Sequence, residues 1–300
     1  MQELSGKVTM VEAMPGTTIG EFKDLVLTLV DEEIRRITAV ELLLGEKQLL
    51  ETATLAESDV SSDTAVLAVF STRLVECVRQ EDAALSLRRP DRAVVLNIPA
   101  DSSEIPEEAF EDCTSILSLT IPTSVTSIGQ WAFEGCSSLT DLSIPNSIAT
   151  LGDGAFCGCS SLRSLVISES LTSIALEAFH GCSSLTDVRI PDSVHRIGEG
   201  AFQRCTSLTN VTIPTSVTRV CARAFRDCSS LSSLTIPSSV TVVGEAAFQG
   251  CSSLKSLTIL KSFSIGADAF AGCALQRLSI PESVYRELEG LPSACEIVWL

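Results

Sequence analysis

The chain has 300 residues and a formal net charge of −17, and such an acidic protein repels the phosphates of nucleic acids. The best basic cluster, residues 88–92, is interrupted by Asp91, so no nucleic-acid partner is predicted. Apolar residues are 45% of the chain, yet no run approaches the ~18 uninterrupted apolar residues of a membrane helix. Residues 1–7 lack the basic and apolar regions of a secretory signal, so we predict a soluble, cytoplasmic protein without a membrane span.

The first 72 residues have the pattern of a small α+β domain. Thr18, with Glu21 three residues later, is typical of a capped helix start, and an amphipathic pattern follows it. Alternation or continuous apolar character predicts strands at residues 8–11, 40–44 and 64–70. The pattern predicts one helix packed against a mixed sheet.

This segment resembles a ubiquitin-like (β-grasp) domain over about 65 residues. The matching stretches, in the order of the family, are residues 4–7, 15–19, 43–49, 54–57 and 63–67. The resemblance implies a docking handle for ubiquitin receptors, with Leu43 in the hydrophobic binding patch. The first strand is shortened to residues 1–4. Residues 71–75 continue without the Gly-Gly tail of the family, which excludes covalent tagging.

Residues 73–93 are charged and carry only scattered apolar side chains. That composition is typical of a short helix or a partly ordered linker. We therefore predict three parts: a domain over residues 1–72, a linker over 73–93 and a second module over 94–300.

The second module is periodic. A phenylalanine preceded by alanine returns every 23 residues, with a one-residue deletion before the last of eight copies: Phe110, Phe133, Phe156, Phe179, Phe202, Phe225, Phe248 and Phe270. A fixed period of this length predicts a solenoid, in which each repeat packs only on its neighbours. In one copy, Leu142 and Ile144 alternate like a short strand with one buried face, and Pro145 ends it. Residues 153–156 then predict a tight helical or 3₁₀ turn whose phenylalanine fills the inside of the coil.

The cysteines follow the same period. Of twelve in the chain, eight stand three residues after the repeating phenylalanines: Cys113, Cys136, Cys159, Cys182, Cys205, Cys228, Cys251 and Cys273. A cysteine at one fixed point of every coil is predicted to be a small buried hydrophobe. Side chains in register point the same way, so disulfides between coils would be strained and we predict reduced thiols. His180 and His195 occupy different repeat positions, so neither a metal nor another cofactor is predicted.

The repeat, a Leu-x-x-Leu-x-Ile-Pro strand followed by an Ala-Phe-x-Gly-Cys turn, resembles the BspA-type leucine-rich repeats. The resemblance implies a curved, right-handed solenoid used for protein or surface recognition, and it implies no chemistry. Local departures include Arg204 and Asp227 in place of the glycine. A degenerate first coil begins at Val94, and residues 284–300 are predicted to form a C-terminal cap. The predicted fold is thus an α+β ubiquitin-like domain followed by a β-rich leucine-rich-repeat solenoid with 23-residue repeats.

Catalysis is not predicted. A hydrolase needs a nucleophile beside a base and an orienting group. His180 and His195 are isolated in the sequence, and each has repeat equivalents that are not histidine, which is typical of solvent positions.

The side chains between the buried strand positions are predicted to face solvent on the concave sheet, and most are short hydroxyls. Asp187, Arg189 and Asn210 differ from them, as does Asp141 two coils earlier, and these four residues are predicted to bind a protein. The alternative is a solvated pair of charges two residues apart on one strand, contributing less than ~1 kcal/mol.

These observations predict a non-catalytic, monomeric protein–protein interaction scaffold whose protein ligand is unknown. Two alternatives stay open. One is a cell-surface or secreted BspA-like adhesion protein, and the other is an adaptor of the ubiquitin–proteasome pathway.

Overall fold

The computed structural model of the chain describes residues 94–98, 100–282 and 296–300, and three two-residue strands nearer the N-terminus. These three are β1 (Leu43–Leu44), β2 (Lys47–Gln48) and β3 (Ala68–Val69). β1 pairs with β2 in antiparallel fashion. The rest of the predicted ubiquitin-like domain and the linker up to residue 93 lie outside the described residues, so that domain stays a prediction.

The solenoid begins at Val94, and each coil contributes a longer strand and a two-residue strand. The longer strands are β4 (Val94–Asn97), β6 (Ile116–Thr120), β8 (Asp141–Ser143), β10 (Ser164–Val166), β12 (Asp187–Arg189), β14 (Asn210–Thr212), β16 (Ser233–Ile236), β18 (Ser256–Ile259), β20 (Arg277–Ile280) and β21 (Glu296–Trp299). The short strands are β5 (Glu104–Ile105), β7 (Ser127–Ile128), β9 (Thr150–Leu151), β11 (Ser173–Ile174), β13 (Arg196–Ile197), β15 (Arg219–Val220), β17 (Val242–Val243) and β19 (Ser264–Ile265).

The strands pair in parallel with their equivalents in the next coil. Leu142 lies opposite Leu165, for example, 23 residues further along. The hydrogen-bonded order in the longer row is β10-β8-β6-β4-β3, then β12-β14, then β16-β18-β20-β21. The short row divides into β5-β7-β9 and β11-β13-β15-β17-β19. Because the register repeats, each position of the 23-residue unit forms a column along the solenoid axis.

The phenylalanine column is the centre of the core. The eight rings stack with centroids 5.1–5.9 Å apart and interplanar angles of 2–14°. The six rings from Phe133 to Phe248 are fully buried. A single coil would leave its apolar ring in water, so burial is achieved only by stacking, at ~25 cal/mol per Å² of apolar surface. The predicted solenoid with 23-residue repeats is confirmed.

The turn that carries the phenylalanine is not helical. Its backbone takes a positive φ at two positions, two residues before and two residues after the ring, as at Gly154 (+63°) and Gly158 (+72°). A left-handed residue interrupts a right-handed helix, so a series of hydrogen-bonded turns replaces the predicted helical or 3₁₀ turn. At the first position Trp131 and Glu177 adopt φ of +53° and +51° without being glycine. A Cβ on Gly154 would lie 1.9 Å from the indole of Trp131, which covers it.

The thiols of the cysteine column form hydrogen bonds between coils. The Cys136 thiol donates a hydrogen bond to the carbonyl oxygen of Phe110, 26 residues earlier, over 3.2 Å. The same bond recurs at 3.2–3.4 Å for Cys159, Cys182, Cys205, Cys228, Cys251 and Cys273. All ten cysteines in the described part of the chain are free thiols, and burial raises the pKa of Cys228 to about 12. These seven thiols each add a second donor to a phenylalanine carbonyl group that also accepts from a backbone N–H, as Phe110 does from Cys113.

At the far end, β21 pairs in parallel with β20 and continues the row of longer strands. Residues 283–295 lie outside the described residues, so the predicted cap stays a prediction. The side chain of Trp299 on β21 is 53% exposed.

Candidate protein-binding surface

The solvent-facing side of the longer strands is the surface that the sequence predicts to bind a protein. We call it the polar sheet face. It consists of the two positions that flank the central buried residue of each longer strand from β8 to β20: Asp141, Ser143, Ser164, Val166, Asp187, Arg189, Asn210, Thr212, Ser233, Thr235, Ser256, Thr258, Arg277 and Ser279. Val188 and Val211 between them point into the core. The predicted alternation of buried and solvent-facing residues is confirmed.

The polar sheet face has a balanced charge. From β8 to β20 its two aspartates, Asp141 and Asp187, are matched by two arginines, Arg189 and Arg277, in a chain of net charge −17. Glu296 on β21 lies opposite Arg277 at the end of the row.

The structure brings together three of the four predicted residues. β12 and β14 pair so that Asp187 lies opposite Asn210, and the Asn210 amide Nδ2 donates to the Asp187 Oδ1 over 3.2 Å. Asn210 also donates to the Thr209 hydroxyl over 3.2 Å, so the carboxylate and the amide are held in place. Arg189 shares β12 with Asp187 and forms no hydrogen bond or ion pair with any described residue. Its guanidinium group is free to bind a partner.

Asp141 does not belong to this group. It lies on β8, two coils from Asp187 and so roughly 10 Å away, with Ser164 between them. Its carboxylate instead accepts a hydrogen bond of 2.8 Å from the neighbouring Thr140 hydroxyl.

Val166 is an apolar residue of the polar sheet face that sequence reasoning did not single out. It is 57% exposed on β10, and its repeat equivalents in the coils on either side are Ser143 and Arg189. Arginine is enriched at protein-binding hot spots and valine is not, so Arg189 is the stronger candidate anchor and Val166 adds apolar contact area beside it. Its apolar side chain distinguishes Val166 in the sequence, because the other members of its column carry hydroxyl groups or, at Arg189, a guanidinium group.

Leu43 is described only as backbone, within β1. Its predicted place in a receptor-binding patch stays a prediction.

His180 lies next to Cys157, which is 23 residues earlier in the sequence. It occupies the same repeat position as Cys157 in the preceding coil, and its carbonyl oxygen accepts a hydrogen bond of 2.7 Å from Gly158 N–H. Partial burial, with Glu134 and Glu177 nearby, raises the pKa of the Cys157 thiol to about 11. Partial burial lowers the pKa of His180. At neutral pH this places a thiol beside a neutral imidazole, which is the opposite of an activated nucleophile.

Neither of two further kinds of site is present in the described ranges. No three histidine, cysteine or carboxylate side chains within 94–98, 100–282 and 296–300 come together as a metal site would require. In the same ranges, no helix has the length and hydropathy of a membrane span.

The family assignment rests on the repeat. A model of the BspA type leucine rich repeat region matches residues 93–195 and 172–289, with six copies. The chain belongs to this family. The predicted BspA-type repeats are thereby confirmed, and they account for the stacked columns described above.

Solved structures of bacterial leucine-rich repeat proteins are similar. A T. pallidum leucine rich repeat protein is 26% identical with a TM-score of 0.52, over 80% of this chain and 94% of that one. A leucine-rich repeat protein from Eubacterium ventriosum is 24% identical (TM-score 0.48; 60% and 43% of the two chains). A leucine rich cell surface protein from Faecalibacterium prausnitzii is 21% identical (TM-score 0.44; 88% and 96%). No curated protein sequence matches the chain.

Proposed function

We propose that this BspA-type protein is a non-catalytic protein-binding module that recognises its partner through the polar sheet face. The observation that carries the proposal is the group of Asp187, Asn210 and Arg189, with one bonded carboxylate and one free guanidinium. Charge-assisted hydrogen bonds from such groups contribute ~1.5–3 kcal/mol each when a partner excludes water.

The stacked core supports this role because it holds the face rigid. The strands that carry Asp187 and Asn210 are anchored by the fully buried Phe179 and Phe202 of the same two coils. A partner then loses little free energy in ordering the surface it binds, which is the advantage of a preorganised site.

The test is affinity capture with the full chain, followed by binding titrations with the captured protein. Arg189→Glu reverses the charge beside Asp187. The matched control Arg277→Glu makes the same change four strands further, beyond β14, β16 and β18, on the same face. We expect Arg189→Glu to weaken binding at least tenfold and the control to leave it nearly unchanged. Equal affinity for the wild type and both variants would remove the polar sheet face as the binding surface.

An adhesion protein would use the same face outside the cell. The two candidates differ in the redox compartment in which the protein works. The test counts free thiols on denatured, non-reduced protein isolated from its source. Twelve free thiols support the scaffold, and oxidised cysteines support adhesion.

The adaptor of the ubiquitin–proteasome pathway is a third candidate that depends on the ubiquitin-like resemblance and on Leu43. A ubiquitin-receptor pull-down with the wild type and Leu43→Ala tests it. Capture that is lost in the variant supports a docking handle, and capture that is absent or unchanged argues against it.

A further inference from the structure

Two arginines lie directly opposite each other on the row of short strands, away from the polar sheet face. β13 and β15 pair in parallel so that Arg196 stands opposite Arg219, and both side chains are exposed. Neighbouring parallel strands are ~4.8 Å apart, so the two positive side chains leave the sheet close together. The other members of this column carry no positive charge: Glu104, Ser127, Thr150, Ser173, Val242 and Ser264.

This pairing is unfavourable by itself, because like charges directly opposite on adjacent strands destabilise a sheet. Asp153 offsets part of it, because its carboxylate attracts the Arg196 guanidinium group. Glu199 is engaged with Arg223, Oε1 to Nη1 over 3.2 Å. Arg219 forms no hydrogen bond or ion pair with any described residue.

Arg196 is held in a fixed orientation by a thiol. Its Nε donates to the Sγ of Cys221, in the next coil, over 3.1 Å. Cys221 occupies a column in which Gly198 and Gly244 are the equivalents in the coils on either side, and it is itself buried. The contact leaves the terminal nitrogens of the guanidinium group for another acceptor. Two like charges that are only partly offset, with one guanidinium group preoriented, go against a local rule of sheet stability, which is typical of a functional site.

We propose that Arg196 and Arg219 form a binding site for a phosphate monoester carried by a peptide, that is, for a phosphorylated segment of a protein partner. A guanidinium group binds phosphate oxygens with two parallel hydrogen bonds. A single phosphate monoester carries a charge near −2 at neutral pH, which neutralises the charges of both arginines. A carboxylate brings only one charge. A nucleic acid is disfavoured by the net charge of −17 and by Asp192 and Glu199 close by in sequence.

The surroundings suit an extended segment. Thr172, Ser173 and Thr218 next to the arginines are short and exposed, and the larger His195 lies between Thr172 and Thr218 in their column.

The binding test uses the full chain and three probes in calorimetric titrations: a neutral, glycine-rich pentapeptide with one central phosphoserine, its unphosphorylated twin, and inorganic phosphate. We expect the phosphopeptide to bind at least tenfold more tightly than the twin, and more tightly than inorganic phosphate. Arg196→Gln and Arg219→Gln should each weaken that binding about tenfold, since each removes charge-assisted hydrogen bonds. The control Arg163→Gln, which removes one charge beside the other row of strands, should leave it unchanged.

Three results would overturn the proposal: equal affinity for the two peptides, an equal loss in Arg163→Gln, or inorganic phosphate binding as tightly as the phosphopeptide. The last result would show a site for a free anion without a peptide. Anionic vesicles that bind through these arginines while the phosphopeptide does not would point to a membrane instead, and would also overturn it.

A second measurement does not depend on the choice of probe. In phosphate-free buffer, Arg219→Thr introduces the residue that the same column has at Thr150 and removes the repulsion. We therefore expect a higher melting temperature for the variant than for the wild type. A lower melting temperature would show that the pair is not strained, and the physical basis of the proposal would be lost.

Discussion

Truncation of a ring in the middle of the stack tests how the solenoid is held together. Phe202 is fully buried and lies between Phe179 and Phe225, at centroid distances of 5.4 and 5.3 Å. Phe→Ala changes in cores cost ~3–5 kcal/mol of unfolding free energy. Each stacked neighbour accounts for about 0.5–1.5 kcal/mol beyond burial, so Phe202→Ala should fall in the upper half of that range.

The matched control is Phe270→Ala at the end of the column. Phe270 is 7% exposed and stacks only on Phe248 among the described rings, so its truncation should cost about 1 kcal/mol less. Urea unfolding followed by circular dichroism measures both variants. Because a repeat array can lose cooperativity, Phe202→Ala is also expected to broaden the transition or split it in two. A cost below about 1 kcal/mol for Phe202→Ala, or a larger one for Phe270→Ala, would refute the reasoning.

Three further predictions concern the columns beside the rings. Gly154→Ala should lower stability by about 1–3 kcal/mol and shift the fluorescence of Trp131, because the new methyl group meets the indole and the backbone is left-handed there. Cys205→Ala should cost about 0.5–1.5 kcal/mol in denaturant unfolding, because it removes one of the two donors to the Phe179 carbonyl oxygen and leaves the Cys182 N–H. His180 has a lowered pKa in the folded state, so the unfolded chain binds more protons, and stability should fall as pH drops below about 6.5.

Each of these has a control with a distinct outcome. Gly158→Ala has the same left-handed backbone but its nearest neighbour is 3.5 Å away, so it should be milder than Gly154→Ala and leave the fluorescence unchanged. Cys205→Ser keeps a donor and should recover part of the loss. His180→Gln should remove the part of the acid sensitivity that this side chain causes, and an unchanged pH profile would contradict that assignment.

The periodic part of the fold could be predicted because each coil repeats the same buried positions. Phe156, Leu142 and Ile144 recur at constant offsets, so their burial and parallel register follow from the period. The short strands could not be predicted in this way. A pair such as Ser127–Ile128 holds one buried residue, which is too short for an alternation to show.

Other features involve groups that a sequence does not display. The acceptor of the Cys136 thiol is a backbone carbonyl 26 residues earlier, and no side-chain pattern marks it. The left-handed conformation of Trp131 and Glu177 has no glycine to signal it, and their N–H groups donate to carbonyl groups of the next coil, which no side-chain pattern marks. The arginine pair, in contrast, is visible once the copies are aligned on their phenylalanines, since Arg196 and Arg219 both stand six residues before the ring.

The candidate surface can be predicted in part, because the alternation of buried and solvent-facing residues repeats in every coil. The alternation placed Asp187, Arg189 and Asn210 on the solvent side of adjacent strands. It gave no information on hydrogen bonding, so the contact between Asp187 and Asn210 and the free guanidinium of Arg189 required the structure. Asp141 was grouped with them by its chemistry, and the register of the strands separates it.

Amide hydrogen exchange along the phenylalanine column tests the stacked coils most directly. The backbone N–H groups of Phe133, Phe156, Phe179 and Phe202 each donate to the alanine carbonyl before the next ring, at 2.8–2.9 Å. If the coils form one continuous stack, these four amides exchange only through large-scale unfolding and show similar, high protection. Exchange of any of them at the rate of an unfolded peptide would show that the column is broken at that coil, and would contradict the account.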